Sequence, residues 1–137
     1  ELLGYLALCS WMQQFSPVAA GIMLVCTVVM FVPGVVHHVF CGTVEWFYIR
    51  LGRTEEARQV ILEFFKKTMS TMLACFVGFL VFSVVLLVMV AMDLTALPRW
   101  ACLLNLLVLF AVMAPFRIVG TLNIAGALML AGLCILL

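Results

Sequence analysis

The chain has 137 residues, a formal net charge of +1, and a composition of 68% apolar and 9% charged residues. A soluble domain is typically ~45–50% apolar and ~25% charged, and a chain this short has too much surface per unit volume to hide such an excess from water. The balance excludes a soluble globular domain, and the lack of a basic tract with interleaved aromatics excludes a nucleic-acid binder.

The remaining reading is an all-α, polytopic transmembrane helix bundle. A mean hydropathy of +1.36 over long uncharged runs without two-residue alternation points to helices, which satisfy their own backbone groups in lipid. A crossing of ~30 Å of hydrocarbon takes ~20 apolar residues. Four to five membrane helices plus a cytoplasmic amphipathic helical segment follow from the runs. Residues 1–137 are read as one transmembrane domain and as a fragment of a longer chain. The first residue is Glu1, and the last, Leu136 and Leu137, fall inside an apolar run.

In chain order, the first run spans Leu2–Met12 and closes at Gln13, Gln14 and Ser16, with Pro17 opening the next helix. There the missing N–H of proline costs nothing. The second run, 17–44, has no formal charge before Glu45 and is kinked at Pro33 and Gly34. Trp46, Phe47 and Tyr48 then form an interfacial aromatic belt, followed by Arg50 and Arg53.

Residues 50–67 are the one charged stretch. Thr54 is the expected N-cap, with Glu55 and Glu56 in the first turn. Ala57, Val60, Ile61, Phe64 and Phe65 recur at helical spacing. Glu63 precedes Lys67 by four residues, the favourable order for a helical ion pair. This segment either lies against the membrane surface or continues directly into the next span. The third span, 68–92, carries Ser70, Ala74 and Gly78 every four residues, a small-residue face for helix–helix association. A loop at Asp93, Pro98 and Arg99 leads into a fourth span that begins at Trp100 and meets Pro115. The stretch 100–114 rises only ~22 Å, so a kinked continuation to Val119 is expected. The fifth run is 121–137.

Orientation follows from the basic residues. Arg50, Arg53, Arg58, Lys66, Lys67 and Arg117 fall on one side and Arg99 on the other, which makes 50–67 cytoplasmic.

Ionisable groups at membrane depth are costly and mark candidate sites. His37, His38, Cys41 and Glu45 form one such cluster, with His38, Cys41 and Glu45 on one helical face. Arg117 and Asn123 come to the same cytoplasmic level, whereas Asn105 lies near the outer end. The ligand-binding candidates are therefore His37, His38, Glu45, Arg117 and Asn123. Their expected role is an inner-leaflet polar pocket for a small amphipathic or lipid-like ligand. One alternative is an intramembrane enzyme using His38 and Glu45 as acid and base on a lipid-like substrate; another is a structural subunit whose polar residues lock helices together. No metal or cofactor motif is present, since HExxH, CxxC and Gly-rich phosphate cradles are missing. The six cysteines sit singly in apolar runs and read as small packing residues.

Leu97, Pro98, Arg99 and Trp100 lead into a helix with Asn105, and 120–127 reads GTLNIAGA. With Gly34 to His37 and Arg53 to Arg58, these segments resemble a family of uncharacterised bacterial multi-pass membrane proteins, a domain of unknown function. The resemblance implies six or seven helices in the whole protein and a bacterial inner-membrane location. It implies no activity.

Overall fold

The computed structural model describes residues 1–118 and 120–137, and every regular element among them is helical. The α-helices are α1 (Leu2–Met12), α2 (Pro17–Arg50), α3 (Glu55–Ala91), α4 (Leu106–Met113) and α5 (Thr121–Leu136), with 3-10 turns at Arg99–Leu104 and Ala114–Phe116. Two helices, α2 with 34 residues and α3 with 37, are long and apolar enough to cross a bilayer. The others are shorter. The chain divides into two compact units, one of Glu1–Thr27 with Phe79–Leu137, the other Val28–Gly78.

Local chemistry sets the helix ends. Ser16 accepts from the Ala19 N–H at 3.1 Å and so caps α2. At its far end Gly52 takes a left-handed φ of 72°. Its N–H donates to the Ile49 carbonyl and that of Arg53 to the Tyr48 carbonyl, the paired closure that stops a helix in one turn. Thr54 then caps α3 through the Ala57 N–H at 3.2 Å. Hydrogen bonds from the Gln59 amide and the Arg58 guanidinium hold the Glu55 carboxyl below its usual range, and Glu63 pairs with Lys67 at 2.8 Å.

The amphipathic segment runs directly into the apolar stretch as one unbroken helix, α3. Its apolar stripe is turned inward: Ala57 is buried and Ile61, Phe64 and Phe65 are half-buried. Phe64 meets Phe40 of α2 edge to face at 5.4 Å. Of the two courses expected for this segment, the direct continuation into the next span is the one seen; only Val60 of the stripe is exposed.

Asp93 ends α3 in the left-handed region, φ 57°, with the Leu94 N–H reaching back to the Met89 carbonyl at 2.9 Å. Arg99 Nε donates to Asp93 Oδ2 at 2.7 Å, and its Nη2 meets the same oxygen. That hydrogen bond holds the Asp93 carboxyl below its usual range. A folded carboxyl that gives up its proton more readily than the unfolded one stabilises above the ordinary carboxylate range. The contribution is lost as pH falls through the lowered value. Limited proteolysis of the 93–99 loop should therefore speed up on acidification, and Asp93→Asn should remove that pH dependence. An equally steep pH dependence in the variant would contradict the assignment.

The fourth run departs from expectation. In place of one kinked helix, 99–116 is broken at Asn105, which is extended at φ −63° and ψ 140°. Asn105 Oδ1 accepts from the Leu107 N–H at 2.9 Å. The side chain thus offers the backbone a cap in competition with a continuing helix. That leaves α4 with eight residues. Pro115 sits in the following 3-10 turn, which Arg117 closes at φ 53°. Val119, the expected end of the span, lies outside the described residues.

The core of the first unit centres on Tyr5, Met12, Met23, Phe82, Leu106 and Met129, none more than 2% exposed. Tyr5 stands edge-on to Phe82 at 5.1 Å. Close approach between α1 and α5 depends on missing side chains. A Cβ on Gly126 would lie 2.7 Å from Tyr5 Oη, and one on Gly4 would lie 2.7 Å from Leu130 Cδ1. Asn105, 2% exposed, ties α4 to α3 by donating to the Ser83 carbonyl at 2.9 Å.

Candidate functional site

The second unit is a helical hairpin, 28–50 of α2 against 55–78 of α3, joined at Gly52 and Arg53. Its two strands of helix meet where one side chain is small or polar. Gly34 faces Cys75, whose Sγ would stand 3.3 Å from a Cβ there. One turn on, His37 Nδ1 lies 3.2 Å from Thr71 Oγ1. Thr71 has one hydroxyl proton and gives it to the Thr68 carbonyl at 2.7 Å. With that proton engaged, the Thr71 oxygen can accept from His37 when Nδ1 carries the ring hydrogen. The contact between the helices runs through Thr71 and Cys75. Of the small-residue stripe, Ser70 is exposed, Ala74 half-buried and Gly78 buried.

His38 is turned about 100° from His37 around α2 and is exposed, with ring centroids 6.5 Å apart. Gly42 lies one turn further and Trp46 one turn beyond that. Nothing stands within 4 Å of where a Cβ on Gly42 would be. The result is an open groove lined by His38, Val39, Gly42, Thr43, Trp46 and Phe47. Thr43 donates to the Val39 carbonyl at 2.8 Å, leaving its oxygen able to accept. The Trp46 indole packs on Phe47 at 5.0 Å, and Arg50 Cζ lies 5.7 Å from its ring centroid, within cation–π range. The lining is one face of α2 in two rows, His38, Gly42 and Trp46 beside Val39, Thr43 and Phe47, so each row pairs one hydrogen-bonding side chain with apolar surface.

Residues 1–135 match the description of DUF6796, a family of unknown function. The chain belongs to that family. The likeness read from Leu97 to Asn105 and from 120–127 thus holds at family level. No curated protein and no solved structure matches the chain.

The five candidate residues of this DUF6796 chain fall in different places. His38 lines the groove. His37 is committed to Thr71 on α3. Glu45 is exposed and lies seven residues from His38, about 10.5 Å along the helix axis. Arg117 and Asn123 are exposed residues of the first unit, Arg117 at the close of a 3-10 turn and Asn123 in the first turn of α5. Among the described residues no three His, Cys, Asp or Glu side chains are grouped to hold a metal ion.

Sequence reading missed Gly42, Thr43 and Trp46 as partners of His38. The signal was a glycine four residues from a histidine on one side and four from a tryptophan on the other, since residues four apart share a helical face.

Proposed function

We propose that the chain is an integral membrane protein that holds a lipid-like amphiphile in the groove of α2, with His38 and Thr43 meeting the polar head and Trp46, Phe47 and Val39 the apolar part. The bilayer reading is supported by how α2 and α3 are clothed. Only 33% and 44% of their most apolar stretches are buried, whereas a core helix of a soluble domain hides most of its surface. Val25, Val28, Val32 and Val35 of α2 and Leu73 of α3 are all at least half exposed. A run of apolar surface this large has hydrocarbon as its natural solvent.

Two full-length crossings, α2 and α3, anchor the protein. With them, the shorter apolar helices α1, α4 and α5 would make up the four to five membrane helices expected from the runs. By the positive-inside rule the turn at 51–54, flanked by Arg50, Arg53 and Arg58, is cytoplasmic. His38 comes 21 residues after Pro17, ~32 Å along the helix, which is one hydrocarbon thickness. The groove therefore sits at the headgroup level of the inner leaflet. The acid–base alternative has less support, because His38 and Glu45 are two turns apart on one helix. Polar residues that lock helices together are found in His37 and Asn105, and neither belongs to the groove.

The observation that carries this reading is the open notch at Gly42 between an imidazole and an indole. A Cβ at Gly42 has nothing within 4 Å, so Gly42→Leu projects its side chain into the notch, and replacing the glycine favours the helix by about 0.5–1 kcal/mol. Protein purified in mild detergent should carry a co-purifying amphiphile, detected by solvent extraction and mass spectrometry. The variant should elute as the same species and lose that amphiphile. Equal amounts in both proteins, or none in either, would contradict the proposal.

A further inference from the structure

Within the first unit, α1 and the start of α2 run antiparallel across the turn at 13–16. Four sulfur side chains lie on their facing sides. Cys9 and Met12 are three residues apart on α1, and Met23 and Cys26 three apart on α2. Residues at that spacing share a helical face. All four are buried, Met12 and Met23 completely, and neither cysteine is more than 8% exposed. The register is set by Cys9, whose Sγ lies 3.7 Å from Thr27 Oγ1. One turn toward the loop on each helix then brings Met12 level with Met23. Cys26, next to Thr27 in the chain, is close enough to Cys9 for a charge on one sulfur to act on the other. Thr27 ties the set together. Its hydroxyl donates to the Met23 carbonyl at 2.9 Å, and with that proton engaged its oxygen can accept from the Cys9 thiol.

We propose that Cys9, Met12, Met23 and Cys26 form a binding site for a single Cu(I) ion. Thiolate and thioether sulfurs are soft donors suited to this ion, whereas zinc is held by thiolate, imidazole or carboxylate. Charge points the same way. A lone cation in an apolar interior is costly, and one thiolate cancels the single charge of Cu(I). Cys9 releases its proton to solvent as the sulfur–copper bond forms, and the other thiol and the two thioethers complete the site without adding charge. Packing alone does not call for this arrangement. A methionine fills a core gap singly, but here a Cys-x-x-Met on α1 is mirrored by a Met-x-x-Cys on α2. Neither half is a metal motif by itself; the turn at 13–16 joins them. Cys9 and Cys26 thereby gain a role beyond the small packing residues expected from the sequence. The proposal shares no residue with the groove of α2 and does not depend on the amphiphile.

Copper retention and X-ray absorption test the site. Detergent-purified protein is loaded with Cu(I) in ascorbate without oxygen, then dialysed against bathocuproine disulfonate, a chelator of Cu(I). The protein should keep an equimolar amount of copper, with sulfur alone as its nearest neighbours in the absorption spectrum. Met12→Leu with Met23→Leu conserves volume, the kind of core change best tolerated, and should surrender the copper at a chelator concentration that leaves the wild type loaded. Thr27→Val keeps all four sulfurs and should weaken retention by about tenfold, as loss of a group that orients a ligand does. Cys134→Ser, on the exposed side of α5, should retain copper as the wild type does. A wild-type protein stripped bare, nitrogen neighbours from His37 or His38, or equal retention by the double leucine variant would each overturn the proposal. The wild-type spectrum needs no variant, so a variant that fails to fold leaves the test standing.

Discussion

Gly126→Ala is expected to destabilise the first unit by about 1–3 kcal/mol, although alanine is the better helix former by ~1 kcal/mol. The added methyl would stand 2.7 Å from Tyr5 Oη, closer than real Cβ contacts come, so something has to move. Tyr5 is 2% exposed and its ring is held edge-on by Phe82, itself fully buried, so the phenol has no empty space to turn into. The hydroxyl is the source of the conflict, because the ring carbon Cζ lies 3.6 Å away, an ordinary contact. Tyr5→Phe alone removes a buried hydroxyl and keeps the ring, and should change stability by about 1 kcal/mol or less. In the double variant Gly126→Ala with Tyr5→Phe, the methyl fits, and the protein should be more stable than with Gly126→Ala alone. Thermal unfolding of the detergent-purified proteins measures this coupling. If Gly126→Ala unfolds at or above the wild-type temperature, α1 and α5 do not approach as closely as described.

Asn105→Ala should cost about 2–3 kcal/mol, the sum of a lost helix cap and a lost buried hydrogen bond. The side chain accepts from the Leu107 N–H and donates to the Ser83 carbonyl, both at 2.9 Å. Truncation strands both partners and enlarges a void, no bigger than one water, that Asn105 borders with Leu86, Cys102 and Leu133. Asn105→Asp should be worse near neutral pH. It keeps the acceptor for the cap but aims a carboxylate oxygen at the Ser83 carbonyl, in a site 2% exposed. Acidification should then restore part of the loss, since a protonated carboxyl can donate where the amide did. An Asp variant as stable as wild type at neutral pH would show that the bond to Ser83 contributes little.

These two sites show what could and could not be read in the letters. Helix starts were legible because their signals are local: Pro17 after a polar cluster, and Thr54 ahead of Glu55 and Glu56. The apolar stretch of α3 was legible from length alone. The break at Asn105 was not, because what holds it is the Ser83 carbonyl, 22 residues away. Flanked by leucines, an asparagine reads equally well inside a helix. Periodicity also cannot choose between neighbouring faces. Ser70, Ala74 and Gly78 have the spacing of a contact stripe, while the contacts to Gly34 and His37 of α2 are made by Cys75 and Thr71, one residue over; whether the stripe meets another helix is a separate expectation. The same ambiguity joined His37 and His38 in one candidate site, although 100° of helix turns one to α3 and the other outward. Glu45, Arg117 and Asn123 were grouped with them by membrane level, a coordinate that says nothing about distance within the membrane plane.

The account depends on α2 and α3 having lipid around their exposed valines and leucines. Washing cell membranes that contain the protein with alkaline carbonate tests this most directly, because the treatment strips peripheral proteins and leaves those embedded in hydrocarbon. The chain should stay wholly with the membrane pellet. Its release into the supernatant as a folded monomer would contradict the account.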